Sequence, residues 1–311
     1  MRKCPLFFGN SPEMSDPLSD IVRLLRPRAV FSKGISGAGR WAVRYSEFGE
    51  PSFCVVLEGR CLLTVDGHDT ITLESGDFVL MPATPGFTLS GEETASPTHI
   101  DPRQAGSATT EVRHGRQDGP GDVRLLGGWF VFDAHDPALL TSLLPALVQL
   151  RGVPRLSALV RQVGEEAEEN RPGRDVVLAH LVDLLLVETL RAAPEQDAPP
   201  GLLRGLADAR LAPALAEMHA QPAHAWTVAQ LASTAALSRS AFFERFTRTV
   251  GMPPMAYLQA WRMAVAKDLL RHQGAGIAET AERVGYSSTS TFSTAFSRHV
   301  GLSPSRFARQ H

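Results

Sequence analysis

TVAQLASTAALSRSAFFERFTRTVGMPPMAYL, residues 227–258, is followed by IAETAERVGYSSTSTFSTAFSRHVGLSPSRF, residues 277–307, and the second stretch repeats the first. Phe242 matches Phe292, Phe246 matches Phe296, Gly251 matches Gly301, Pro254 matches Pro304 and Tyr257 matches Phe307, all at an offset of 50. Upstream, Val228 matches Ile277, Ala232 matches Ala281 and Leu237 matches Tyr286 at an offset of 49. The second copy therefore carries one additional residue between Tyr286 and Phe292. A repeat of this period can belong to a solenoid, but two copies joined by one long helix make a paired reading head.

In the first copy Thr227 is a good N-cap, and Gln230 completes a capping-box pattern. Val228, Leu231 and Ala232 put apolar groups on one helical face. Ser238 is expected to cap a second helix after the tight Ala235-Ala236-Leu237 turn, and Phe242 and Phe246 pin that helix to a small core. Ser240, Phe243, Glu244 and Thr247 are left facing outward, flanked by Arg239 and Arg248. By the same reasoning Ser287 is expected to cap the equivalent helix of the second copy, anchored by Phe292 and Phe296. Thr289, Ser290, Ser293 and Thr294 then face outward, with Ser288 and Arg298 beside them. A helix-turn-helix places the N-terminal part of its second helix against base edges in the major groove, so these fourteen residues are the candidate DNA contacts. The apolar spacing of Leu258, Trp261, Val265, Leu269 and Leu270 predicts a joining helix over residues 255–272, roughly 27 Å long. Adjacent major-groove faces lie about 34 Å apart. One chain is thus expected to read two turns of an asymmetric site.

The net charge of −2 looks unlike that of a nucleic-acid binder. Its distribution differs: residues 204–311 carry +6 and the remainder −8. A basic module on an acidic body suits electrostatic DNA binding.

The string from Trp226 to Arg309 resembles the AraC/XylS family of bacterial transcription regulators, through WTV, LSRSAF, VGMPPMAYL, WRM, VGY and VGLSP. The resemblance implies base reading by Ser240, Phe243 and Glu244, and by Thr289, Ser290 and Thr294. It departs from the usual pattern where Glu244 and Thr294 stand in place of the common arginine. Glu244 can accept from cytosine N4 and Phe243 can touch a thymine methyl, while the short hydroxyl residues of the second helix discriminate little.

The N-terminal half shows β-like runs divided by turn residues: WAVRYSEF, SFCVVL, RCLLTV, DTITL, DFVLMP and VRLLGGWFVFD. Glu58-Gly59 and Asp66-Gly67 sit where hairpin turns are expected, and the spacing points to a small barrel or sandwich. EGRCLLTVDG with TLESGDFVLMPATPGF resembles a cupin, specifically the sensor domain of one AraC subgroup, whose opening DPLSDIVRLLRPR also resembles. Metal-binding cupins converge histidines inside the barrel. Here Cys54 and Phe87 stand where those histidines are expected, so no metal or other cofactor and no catalytic residue is assigned. His68, His99, His114 and His135 read as surface or loop residues. An apolar interior suits a small ligand, with Trp41, Cys54, Val56, Cys61 and Phe87 as candidate lining; plain packing is the alternative. A hairpin at Glu58-Gly59 pairs Val56 with Cys61 and brings Cys54 within about 7 Å of Cys61 at Cα, which leaves two readings open, an oxidant-sensitive pair or inert buried thiols.

Residues 90–122 read as a long mobile loop. LLTSLLPALVQL, SALVRQV and VVLAHLVDLLLVETL read as two or three amphipathic helices, which the resemblance implies pair subunits. Three cysteines are too few for a disulfide framework, and neither a signal peptide nor a membrane span is found. The expected architecture is multidomain α+β: an N-terminal tail (1–15), a cupin-like β-barrel sensor (16–135), a helical connector (136–193), a linker (194–203) and an all-α double helix-turn-helix domain (204–311). The expected function is a cytoplasmic, sequence-specific DNA-binding transcription regulator, an activator by resemblance. Its expected partners are double-stranded DNA, RNA polymerase, a small-molecule or stress signal and a second copy of the chain through the N-terminal half. The rivals are a metal-dependent cupin enzyme with a DNA-binding tail and a structural DNA-binding protein.

Overall fold

The computed structural model describes residues 16–25, 27–93, 95–101, 111–132, 146–168, 171–192 and 200–309. They form two compact units, one from Leu25 to Arg204, the other from Gly205 onward together with the described N-terminal residues up to Leu24. The helix α1 (Pro17–Leu25), expected to open the sensor domain, thus groups with the C-terminal unit.

The first unit is a curled, ten-stranded, cupin-like sheet. Its strands are β1 (Pro27–Ala38), β2 (Ala42–Tyr45), β3 (Ser52–Val65), β4 (Ile71–Glu74), β5 (Phe78–Met81), β6 (Phe87–Ser90), β7 (Thr98–Ile100), β8 (Val112–Gly115), β9 (Val123–Phe132) and β10 (Val148–Leu150). The order is β7-β2-β6-β3-β9-β1-β8, with β4 and β5 also paired to β3 and β10 to β5. Helices α2 (Pro154–Glu168) and α3 (Arg174–Ala192) follow. The inner face buries Val43, Val56, Cys61, Leu63, Leu73 and Leu125, each fully buried aliphatic side chain being worth about 1.5–3 kcal/mol. Asp77, in the turn before β5, is nearly inaccessible, and Arg151, Gln149 and the Glu74 backbone N–H all donate to its carboxylate. That network fastens the segment around β10 to the sheet.

Several expectations change here. Asp66-Gly67 does turn β3 into β4, but Glu58-Gly59 is no hairpin: SFCVVL and RCLLTV are one strand. The register shifts between Val56 and Glu58, and Gly59 takes φ 74°. A side chain at Gly59 would run into the Asp122 carbonyl. Cys54 pairs with Val79 and Gly127, and Cys61 with Leu73, so they are not partners on adjacent strands. Both thiols are buried, and burial raises both, Cys61 to about 12. Burial that disfavours the thiolate favours the reading of inert buried thiols. The described parts of residues 90–122 are not a structureless loop, because β7 adds to β2 and β8 adds in parallel to β1. The described part of LLTSLLPALVQL, Val148–Leu150, is a strand rather than a helix. The tail 1–15, His135, residues 136–145 of the connector and most of the linker lie outside the described residues.

The second unit is helical: α5 (Ala212–Ala220), α6 (Val228–Thr234), α7 (Arg239–Val250), α8 (Pro254–Arg271), α9 (Ile277–Arg283), α10 (Thr289–Val300) and α11 (Pro304–Arg309), after α4 (Leu202–Ala207). The repeat is structural. Phe242 and Phe246 lie 5.6 Å apart at 53°, and Phe292 and Phe296 lie 5.5 Å apart at 52°. Tyr257 meets Phe246 edge-on, as Phe307 meets Phe296. All four phenylalanines on α7 and α10 are fully buried. Gly251 and Gly301 close those helices in the left-handed conformation at φ 86° and 81°, where a side chain is disfavoured.

Candidate nucleic-acid interface and sensor cavity

The start of α7 is fixed by Ser238, whose hydroxyl accepts from Ala241 N at 3.3 Å, and the preceding α6 carries the complete Thr227/Gln230 capping box. On α10 the cap is Ser288, accepting from Thr291 N at 3.2 Å, rather than Ser287. The additional residue of the second copy is therefore Ser287, lodged in the turn. Arg239, Ser240, Phe243, Glu244 and Arg248 are exposed on α7, Phe243 by 44% despite its apolar ring. Thr289, Ser290, Thr294 and Arg298 are exposed on α10, and Ser293 is half-buried. Thr247 differs from expectation: its hydroxyl is buried with no hydrogen-bond partner among the described residues, so it does not face outward. Thr294 donates to the Ser290 carbonyl of its own helix.

Two other arginines of this unit are structural. Arg245 pairs with Asp208 at 2.8 Å, and Arg262 donates to the Pro222 and His224 carbonyls, fastening that loop to α8. Burial raises the Asp208 carboxyl, but Arg245 and the Arg210 and Leu211 N–H groups outweigh it and hold it below the ordinary carboxylate range. His219 on α5 is buried, bonded through Nε2 to the Tyr257 hydroxyl at 2.6 Å, and stacked on Trp261 with centroids 3.8 Å apart. Its Nδ1 lies 3.7 Å from Asp20 of α1. Burial lowers its pKa more than Asp20 and Asp16 raise it.

Inside the curled sheet lies a cavity of about 140 Å³. Tyr45 and Phe87 stack at 4.7 Å on its wall, Phe48 meets Trp129 edge-on, and Gly127 and Gly128 of β9 leave a stretch without side chains. Cys54 and Met81 contribute sulfur and His114 an imidazole. Burial lowers the His114 pKa and pushes the Tyr45 phenol up to about 12, so both are neutral at pH 7.

A family model described as Cupin matches residues 16–195, and one described as Helix-turn-helix domain matches residues 231–310. A Streptomyces antibioticus protein named putative AraC-like transcription regulator is 38% identical over 303 residues, 95% of this chain and 99% of its own. The chain belongs to the AraC-like transcription regulators. The HTH-type transcriptional regulator AlkR of Acinetobacter baylyi is 30% identical to this AraC-like chain over 88% of the chain and 92% of its own length. The DNA-binding domain of AdpA, solved in complex with a target DNA, is 26% identical and covers 35% of this chain and 90% of that one, with a TM-score of 0.29. The helix-turn-helix domain matched at residues 231–310 makes the C-terminal unit the DNA-binding part of this regulator. Among the described residues no helix is long and apolar enough to cross a membrane.

Of the cavity residues of this AraC-like regulator named from sequence, Cys54 and Phe87 line the space. Trp41, Val56 and Cys61 lie in the surrounding core instead. His68 and His99 are exposed, whereas His114 is drawn inward by β8 and stacks near Trp41 with centroids 6.1 Å apart. Sequence reasoning missed His114 because its position depends on the parallel β1–β8 pairing, formed across 77 residues from Ile35 to Val112. Gly127-Gly128 was the available signal, since paired glycines inside a strand mark open space or close approach.

Proposed function

We propose that this AraC-like regulator reads an asymmetric DNA site through Ser240, Phe243 and Glu244 on α7 and Thr289, Ser290 and Thr294 on α10. The observation that carries this reading is the matched construction of the two helices, each capped by serine, anchored by two buried phenylalanines and closed by a left-handed glycine. Arg239, Arg248 and Arg298, exposed on those helices, supply phosphate contacts. Glu244 selects a cytosine and Phe243 a thymine methyl; α10 contributes more to position than to sequence. The curled sheet takes a small-molecule signal in its cavity, and DNA occupancy is converted into recruitment of RNA polymerase as an activator in the cytoplasm. Two chains pair through α3, where Val177, His180 and Leu184 form an exposed stripe at helical spacing and Val176 is 62% exposed. The sheet acts as a binding module rather than an enzyme, which the regulator names of the relatives and the Cys54 and Phe87 substitutions support.

Footprinting of the full chain on DNA upstream of its own gene tests the reading. The expected result is protection of about two helical turns without internal symmetry, weakened steeply by salt. Absence of protection at low salt, or a strict requirement for a palindrome, overturns it.

A further inference from the structure

The cavity in the curled sheet is specific about chemistry. Among the described residues none that lines it is Asp, Glu, Lys or Arg, so an ionised ligand would surrender its water without gaining a countercharge. A polyol fares little better, because each buried hydroxyl needs a partner. The Ser52 and Thr84 hydroxyls already pair at 2.6 Å, and Thr84 donates to the Glu50 carbonyl. The Tyr45 phenol at the wall and the His114 imidazole remain, and the His114 Nε2 is cut off from water with no hydrogen-bond partner among the described residues. Being neutral, the imidazole offers one donor or one acceptor according to tautomer.

The walls and the volume narrow the shape. Tyr45, Phe87, Phe48, Phe53 and Trp129 present ring faces and edges, which favour flat partners in offset or edge-on contact. An apolar cavity of about 150 Å³ stays dry and takes a benzene-sized molecule, and this one holds about 140 Å³. We infer that the cavity binds an uncharged, single-ring aromatic compound carrying one hydrogen-bonding group, which meets His114. The inference rests on the reading of the curled sheet as the signal-binding module and names the class of signal.

Gly127 supplies the control. Its φ lies outside the left-handed region, and a Cβ there would meet nothing closer than 3.7 Å, so Gly127→Leu fills the space with little demand on the backbone. Cys54→Leu fills it from β3 and serves if the first variant does not fold. Calorimetric titration of the full chain uses toluene, p-cresol, benzoate and ribose as probes. Toluene and p-cresol are expected to bind, p-cresol about tenfold tighter for its one hydrogen bond, and both to be lost in the folded cavity-filling variant. His114→Leu is expected to abolish the preference for p-cresol over toluene. Binding of benzoate or ribose that Gly127→Leu removes, or no binding of toluene and p-cresol to the wild type, overturns the proposed class. The signal-binding reading is judged separately, by transcription from the chain's own promoter in cells. If the folded filled variant matches wild type under every growth condition that changes wild-type output, that reading fails whatever the calorimeter shows.

Discussion

Ala236 and Gly285 occupy the same left-handed corner in the turns of the two helix pairs, at φ 51° and 83°. Among the described residues Ala236 alone holds such a conformation without being glycine. Left-handed backbone costs an L-residue about 1–2 kcal/mol, partly offset in a glycine by its greater unfolded-state entropy. Ala236→Gly is therefore expected to stabilise the DNA-binding unit by about 0.5 kcal/mol. Gly285→Ala meets the same conformational penalty and a Cβ 2.6 Å from the Ala223 carbonyl, and should cost about 2 kcal/mol or more. Denaturant unfolding followed by helical circular dichroism checks both, and equal effects of the two changes would contradict the argument.

The caps make a second, sharper comparison. Ser238→Ala and Ser288→Ala each remove a side-chain acceptor from a helix start and are expected to cost about 1 kcal/mol. Ser287→Ala should fall within about 0.5 kcal/mol of wild type, as surface changes do. A larger loss at Ser287 than at Ser288 would assign the cap to the wrong residue.

His219 and His114 both have pKa values lowered by burial, so each takes up a proton at lower pH in the folded chain than in the unfolded one. The sign follows from linkage: the unfolded state binds more protons below the ordinary histidine value of 6.5. Stability is full above pH 6.5 and declines as pH falls below it. For His219 the surrounding groups are Tyr257, Trp261, Asp20 and Asp16, and the two carboxylates moderate the shift. Ring-nitrogen NMR of the full chain should show both imidazoles taking up their proton below the ordinary histidine value of 6.5. A His219 ring that titrates at or above 6.5 would refute its burial against Trp261.

On DNA, Glu244→Ala is expected to change base preference in one half of the site by about 1–3 kcal/mol at a single base pair. Arg298→Ala should weaken all sequences alike and reduce the salt dependence by about one phosphate contact. Selection of binding sites from a randomised pool separates the two outcomes. Unchanged preference on loss of Glu244 would exclude it from base reading.

The helical unit was legible in the sequence because its determinants are local: caps, four-residue phenylalanine spacing and closing glycines lie within a dozen residues of each other. Even there the cap slipped by one, since either of two adjacent serines satisfies the pattern and only the turn decides. The sheet was less legible. PRAVFSKGISGA, which forms β1, is diluted by Gly and Ser and carries no alternation strong enough to announce a strand. Thr98–Ile100 and Val112–Gly115 are too short to signal themselves and are strands only because β2 and β1 offer them free edges. Gly59 read as a hairpin turn, whereas its left-handed φ serves a bend against the Asp122 backbone, a contact 63 residues away. His114 enters the cavity through that same kind of distant pairing.

Ser287 enlarges the turn rather than the helix it precedes, and this bears on how the two halves of such a protein can diverge. One residue added within an α-helix turns every later side chain by about 100° around the axis, which would carry Ser290 and Thr294 off the outer face and expose the buried rings of Phe292 and Phe296. Added ahead of the Ser288 cap, the same residue leaves the helix frame intact, and the interplanar angle of the paired phenylalanines differs by only a degree between the two copies. The turn is thus the seam at which length can drift between duplicated reading units, and the place where an engineer can insert a residue to re-aim one half against the other without recutting its core.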